Sequence, residues 1–316
     1  TSGSVTLQNA QTISGTGAEV TAALITDAVT LGAASNATVT GNVTAEVAGN
    51  IANVTDITAA FSGTITDTLA NLAASGSITT NFSRARGDDG DVNVVVSDGT
   101  GTLSAADLGA VTAKTTGTVT LDNAQTISGT GAEVTAALIT NAATLSAASN
   151  ATVTGNVTAE VAGNIANVTD ITAAFSGTIT DTLANLAASG SITTNFSRAR
   201  GDDGDVNVVV SDGTGTLSAA DLGAVTAKTT GTVTLDNAQT ISGTGAEVTA
   251  ALITNAATLS AASNATVTGN VTAEVARNIA NVTDITAAFS GTITDTLANL
   301  ADSGSITTNF SRARRD

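Results

Sequence analysis

The words "VTLQNAQTISGTGAEVTAALIT" begin at Val5, and nearly the same words return at Val119 and Val233, a period of 114 residues. The stretches Ser4 to Gly117 and Thr118 to Gly231 differ at five positions: Ser4/Thr118, Gln8/Asp122, Asp27/Asn141, Val29/Ala143 and Gly32/Ser146. A third copy, Thr232 to Asp316, is shorter and carries Arg277 for Gly163, Asp302 for Ala188 and Arg315 for Gly201. Copies this alike must fold alike, and each must bury its apolar face against a neighbour. The predicted organisation is therefore period 1 at 1–117, period 2 at 118–231 and a truncated period 3 at 232–316, joined in one continuous solenoid. Near-identity points to recent duplication within a longer array.

Each period contains a shorter theme, seen in "TISGTGAEVTAALI", "TVTGNVTAEVAGNIA", "AFSGTITDTLANLAA" and "VVSDGTGTLSAADLGAV". A β-branched run leads to a glycine (Gly15, Gly41, Gly63, Gly99), and a helical start follows. Thr16-x-x-Glu19, Thr64-x-x-Asp67 and Ser104-x-x-Asp107 fit a capping box, and Glu46 takes its cap from Asn42 or Thr44. Narrow apolar stripes follow: Val20 and Leu24, Val47 and Ile51, Leu69 and Leu72, Leu108 and Val111. Helices this short need neighbours to dock on. The expected fold is an α/β repeat solenoid of stacked strand–turn–short-helix coils, its parallel sheet carrying short helices on a face. A pure parallel β-helix is the alternative. "SITTNF" reads as a further strand, and Phe61 and Phe82 read as core plugs.

The chain has no His, Cys, Met, Trp, Tyr or Pro and a net charge of −17. Without His or Cys there is no ordinary proton shuttle near neutral pH, thiolate nucleophile or soft-ligand zinc site, so the chain reads as non-enzymatic. The acid excess argues against nucleic acid, which needs a basic face, and suits a protein that collects divalent cations. Its apolar runs are too short to span a membrane.

The words "SDGTGTLSAADLGAVTAKTTGTVT" and "ISGTGAEVTAALIT" resemble repeat arrays of giant secreted or cell-surface proteins of marine cyanobacteria and other Gram-negative bacteria. Such arrays are associated with calcium-binding segments of the repeats-in-toxin kind. The resemblance implies an extracellular structural, adhesive or surface-layer role. The G-G-x-G-x-D-x-U-x nonapeptide of calcium β-rolls is absent, so no ligands carry over from it.

The charged stretch "SRARGDDGDVNVVV" (83–96) falls within the longest glycine spacing and reads as a loop bulging from the coil. Asp88, Asp89 and Asp91, with their copies Asp202, Asp203 and Asp205, are the candidate ligands for Ca²⁺, the one cofactor the sequence suggests. Arg84 and Arg86 compete for the same carboxylates as ion-pair partners. Val96 to Asp107 mimics part of an EF-hand loop but lacks ligands at its first and fifth positions. Arg86-Gly87-Asp88 matches an integrin-binding tripeptide, and Asn36, Asn42, Asn53 and Asn81 open N-x-Ser/Thr sequons. Thr-x-Thr pairs (Thr38/Thr40, Thr64/Thr66, Thr118/Thr120) suggest ice-binding faces, yet their spacing does not recur once per coil and reads as strand propensity. The expected function is a non-enzymatic extracellular rod, filament or surface-layer segment. Self-association is its expected partnership, with a divalent cation or surface glycan as further candidates. A calcium-dependent adhesin and an ice-binding solenoid are the rivals.

Overall fold

The computed structural model describes residues 4–313. They form two compact units: one runs to Val153 and includes Val168–Thr172, and the other comprises Thr154–Asn167 and the chain from Ala173 onward. Both are α/β, with parallel strands in stacked sheets and short helices between them.

Alternation builds the strands. In Ser35–Thr40, Ser35, Ala37 and Val39 are buried, while Asn36 and Thr40 are exposed and Thr38 is half-exposed. Ile57–Phe61 alternates in the same way and ends on buried Phe61. One face of each pleat therefore joins the core and the other meets solvent. In the first unit Thr12–Thr16 lies beside Ser35–Thr40, which lies beside Ile57–Phe61, all parallel, with Thr12 opposite Asn36 and Asn36 opposite Thr58. A second parallel sheet runs in the order Thr64–Asp67, Asn93–Val96, Val119–Leu121, Thr144–Leu145. The chain thus makes four passes per period before Val119–Leu121 takes the place that Thr6–Leu7 holds in the first period, where it pairs with Thr30–Leu31. The second unit repeats the scheme, with a four-stranded parallel sheet of Gly215–Ser218, Gln239–Thr244, Ser263–Thr268 and Ile285–Phe289.

The helices start largely where the caps predict. At Thr16 the capping box is complete, with the Glu19 amide donating to Thr16 Oγ1 and Glu19 Oε2 accepting from the Thr16 amide at 2.8 Å. Thr44 caps Ala45–Ala52 by accepting from Val47, and Ser104 caps Ala105–Thr112 by accepting from Asp107. Val20, Leu24, Ile51, Leu69, Leu72, Leu108 and Val111 are buried. After Thr21 the first helix widens into a π turn over Ala22–Thr26, closed by the Asp27 amide donating to Ala22 O at 2.8 Å.

Three expectations fail. Thr64–Asp67 is a strand and not a capping box; its helix starts at Leu69 behind Thr68. "SITTNF" is a strand only at Ser77–Ile78, which folds back antiparallel on Ala73–Ala74. The charged stretch is not a loop at its start, because Thr80–Asp88 is a nine-residue helix capped by Thr79, whose Oγ1 accepts from Phe82. That helix drives Phe82 fully into the core, as its copy drives Phe196. β-branched residues ahead of a turn signal both strands and caps, and here the cap prevails.

Close backbone approach explains one of the predicted glycines. A Cβ on Gly63 would stand 2.3 Å from Gly41 O, so the two passes can touch only with glycine there. Among the described residues, no helix is long and apolar enough to cross a membrane.

Candidate functional site

The chemistry-bearing side chains of this chain are chiefly carboxylates, and the first two periods place them in the same way. Asp67 ends a strand of one pass and reaches back to the helix of the pass before. Its Oδ2 accepts from the Ala45 amide at 2.9 Å, and its Oδ1 accepts from the Thr68 amide at 2.9 Å and from Asn71 Nδ2 at 2.7 Å. Only 9% of it is exposed. One negative charge thus serves the N-termini of two helices, Ala45–Ala52 and Leu69–Leu72, whose first-turn amides need acceptors. Asp181 makes the same three contacts in the second copy.

Of the predicted calcium ligands, Asp88 and Asp89 are spent similarly, while Asp91 stands beside Asp89. Asp88 Oδ2 accepts from the Ala59 amide at 2.9 Å, and Asp89 Oδ2 accepts from the Phe61 amide at 2.6 Å. Ile57–Phe61 is the last strand of its sheet, and alternate amides along that edge would otherwise seek a further strand. The two carboxylates at the end of the Thr80–Asp88 helix stand in for that strand's carbonyls. Asp202 and Asp203 do the same for Ala173 and Phe175. Burial pushes the Asp89 carboxyl above its ordinary range and neighbouring Asp91 adds to this, against the pull of the Phe61 amide. Asp203 is raised by the same causes, with Asp205 as its neighbour. Among the described residues, no group of three or more acidic, His or Cys side chains is arranged to hold a metal ion.

Other motifs resolve into the same use. In the EF-hand-like stretch, Asp98 accepts from the Leu69 amide at 2.6 Å and Asp107 from the Gly76 amide at 2.6 Å. The arginine of the tripeptide sits on the helix, and Arg86 Nε donates to the Lys114 carbonyl. In the third copy Arg315 and Asp316 lie outside the described residues. Of the four sequons, Asn42 accepts from the Thr64 amide and Asn81 packs against Gly49, while Asn36 and Asn53 are exposed. A polar cleft of about 340 Å³ opens between Thr44, Glu46, Asp67, Asn71 and Thr79 in the first copy and recurs around Asp181 in the second.

Strand register aligns Thr12, Asn36 and Thr58 in one outward row and Ser14, Thr38 and Ala60 in the next, with Thr16 beside Thr40. Polar residues therefore recur once per pass in the first row, whereas Ala60 ends the second; Thr-x-Thr spacing does not reveal the rows because Ser, Asn and Ala share them.

No family model matches the chain, and no curated protein matches it. Among solved structures, the plant peptide hormone receptor RGFR1 in complex with RGF2 aligns over 91% of this chain and 39% of its own, at 14% identity and a TM-score of 0.20. The chain spans about two fifths of that receptor's length, and a likeness at this level carries no argument.

Proposed function

We propose that the chain is a non-enzymatic structural repeat: a solenoid segment of a rod, filament or surface layer whose periods stack end to end. The observation that carries this reading is the use of the carboxylates. Asp67, Asp88, Asp89, Asp98 and Asp107 each accept from a backbone amide 22 to 31 residues away, in another pass of the chain. The groups that could do chemistry instead hold one pass to the next, and they do so again in the second copy. A repeat stapled in this way adds length with each copy and requires no new fold. Extracellular placement and self-association belong to the same proposal, and the resemblance of the repeat words supports them.

The test is a ruler experiment. A version with one more copy of residues 118–231 should be longer by a fixed increment and no thicker in small-angle scattering. Growth in all directions would remove the reading.

A further inference from the structure

We propose that the outward face of the parallel sheets binds ice, by holding rows of hydroxyls in a fixed lattice. The spacer reading does not depend on this: a rod without such a face would still be a rod.

The fold uses only some of its hydroxyls. Thr44, Thr79 and Ser104 cap helices, and Thr115 donates to the Val92 carbonyl. The hydroxyls of Thr12, Ser14, Thr38, Thr40 and Thr58 make no hydrogen bond within the chain, among the described residues. They all lie on one sheet, on the side opposite the buried Ala37, Val39 and Ala59. The larger sheet of the second unit repeats this. Thr216, Thr240, Asn264 and Thr286 form one row, and Ser218, Ser242, Thr266 and Ala288 the next, with Thr244 beside Thr268; of these, the Ser218 and Thr244 hydroxyls are spent as helix caps. The row hydroxyls that do not cap a helix are therefore left unspent, set in rank and file by the register.

The geometry then limits the partner. Parallel strands lie about 4.8 Å apart and alternate residues along a strand about 6.6 Å apart, so the rows define a two-dimensional grid. Threonine is stiff about χ1, which holds each hydroxyl and methyl near its grid point. Each hydroxyl both donates and accepts. No charged residue stands in the rows, although the chain carries −17 overall, so the face offers nothing to an ionic partner. Thr16 and Thr40 border a cavity of about 640 Å³ lined chiefly by helix residues such as Ala18, Thr21 and Val47, and the rows of Thr12 and Ser14 are not part of that lining. A neutral, extended, periodic partner built of hydrogen-bonding oxygens remains. Ice fits that description, because it is a neutral, extended lattice of oxygens that each donate and accept hydrogen bonds.

The test is slow growth of ice in a solution of the chain, with the incorporated fraction measured beside a protein that does not bind ice. The chain should be incorporated and should facet growing crystals. Replacing the middle position of the SNATVT strand in all three copies (Thr38→Lys, Thr152→Lys, Thr266→Lys) should bring incorporation down to the control. The same charge placed on an exposed turn (Thr55→Lys, Thr169→Lys, Thr283→Lys) should leave it unchanged, with circular dichroism and melting confirming both folds. If the first set does not fold, Thr→Val at the same positions keeps the shape, removes the hydroxyl and should still lower incorporation. Exclusion of the unmodified chain from ice would overturn the proposal. So would incorporation that the first set leaves intact, or binding to an insoluble neutral polysaccharide with exclusion from ice.

Discussion

Replacing Asp67 and Asp181 with alanine while keeping Asp295 tests the stapling directly. The buried amide of Ala45 would lose its acceptor, and an orphaned buried donor costs about 1–3 kcal/mol. Loss of the negative charge at a helix N-terminus adds about 0.3–1 kcal/mol. Thr68 N–H and Asn71 Nδ2 sit where solvent can replace the carboxylate, so they add little. The sum is about 3 kcal/mol per copy, or about 100-fold in a local opening equilibrium. Hydrogen exchange read by mass spectrometry suits this test, because "AEVAGNIA" is the same in the first two copies and one peptide reports on both. The third copy reads "AEVARNIA" and serves as an internal control. Amides of Ala45–Ala52 and its copy should exchange about 100-fold faster, and those of Ala273–Ala280 should not change. Unchanged exchange in the first peptide, or equal acceleration in both, would refute the reasoning.

Other perturbations follow from the same contacts. Asp89 and Asp203 have raised native pKa values, so their contribution to stability is present below the ordinary Asp range and is lost as pH rises through the raised value. Asp89→Asn with Asp203→Asn should therefore raise the melting temperature at neutral pH, and the gain should vanish in acid. Chelator should leave the melting temperature unchanged, since Asp88 and Asp89 are engaged by amides; a fall of many degrees would return weight to calcium. Gly49→Ala with Gly163→Ala should destabilise by about 1–3 kcal/mol through overpacking, because a Cβ there would stand 2.6 Å from the Cα of Asn81 or Asn195. The third copy carries Arg277 at this position, with its Nε buried and unpartnered, so Arg277→Gly should raise the stability of that copy.

Local signals were legible where the partner is near in sequence. Thr16 and Glu19 are three residues apart and form the box their spacing predicts, and Leu108 and Val111 are buried as their helical spacing requires. The partners of the carboxylates are remote and so were not legible in the sequence. Asp67 looks like the third residue of a helix, yet it ends a strand and its key amide lies 22 residues earlier. Asp88 and Asp89 look like free ligands because nothing nearby in the chain announces the Ala59 and Phe61 amides, 29 and 28 residues away. The Thr80–Asp88 helix was hidden by the two threonines before Phe82, which read as strand until Thr79 is seen as a cap. The hydroxyl rows depend on register, which pairs Thr38 with Ser14 and Ala60, and no single-residue motif contains that information.

The proposed function requires that periods add along one axis. Four passes per period at about 4.8 Å each predict about 19 Å of added length for every copy. A compact chain of 316 residues would have a radius of gyration of about 20 Å, and one of 430 residues about 22 Å. Small-angle scattering on the chain with and without an extra copy of residues 118–231 separates these cases. The account predicts a maximum dimension greater by about 19 Å at an unchanged cross-section. A rise of only about 2 Å in radius of gyration with a thicker cross-section would contradict it.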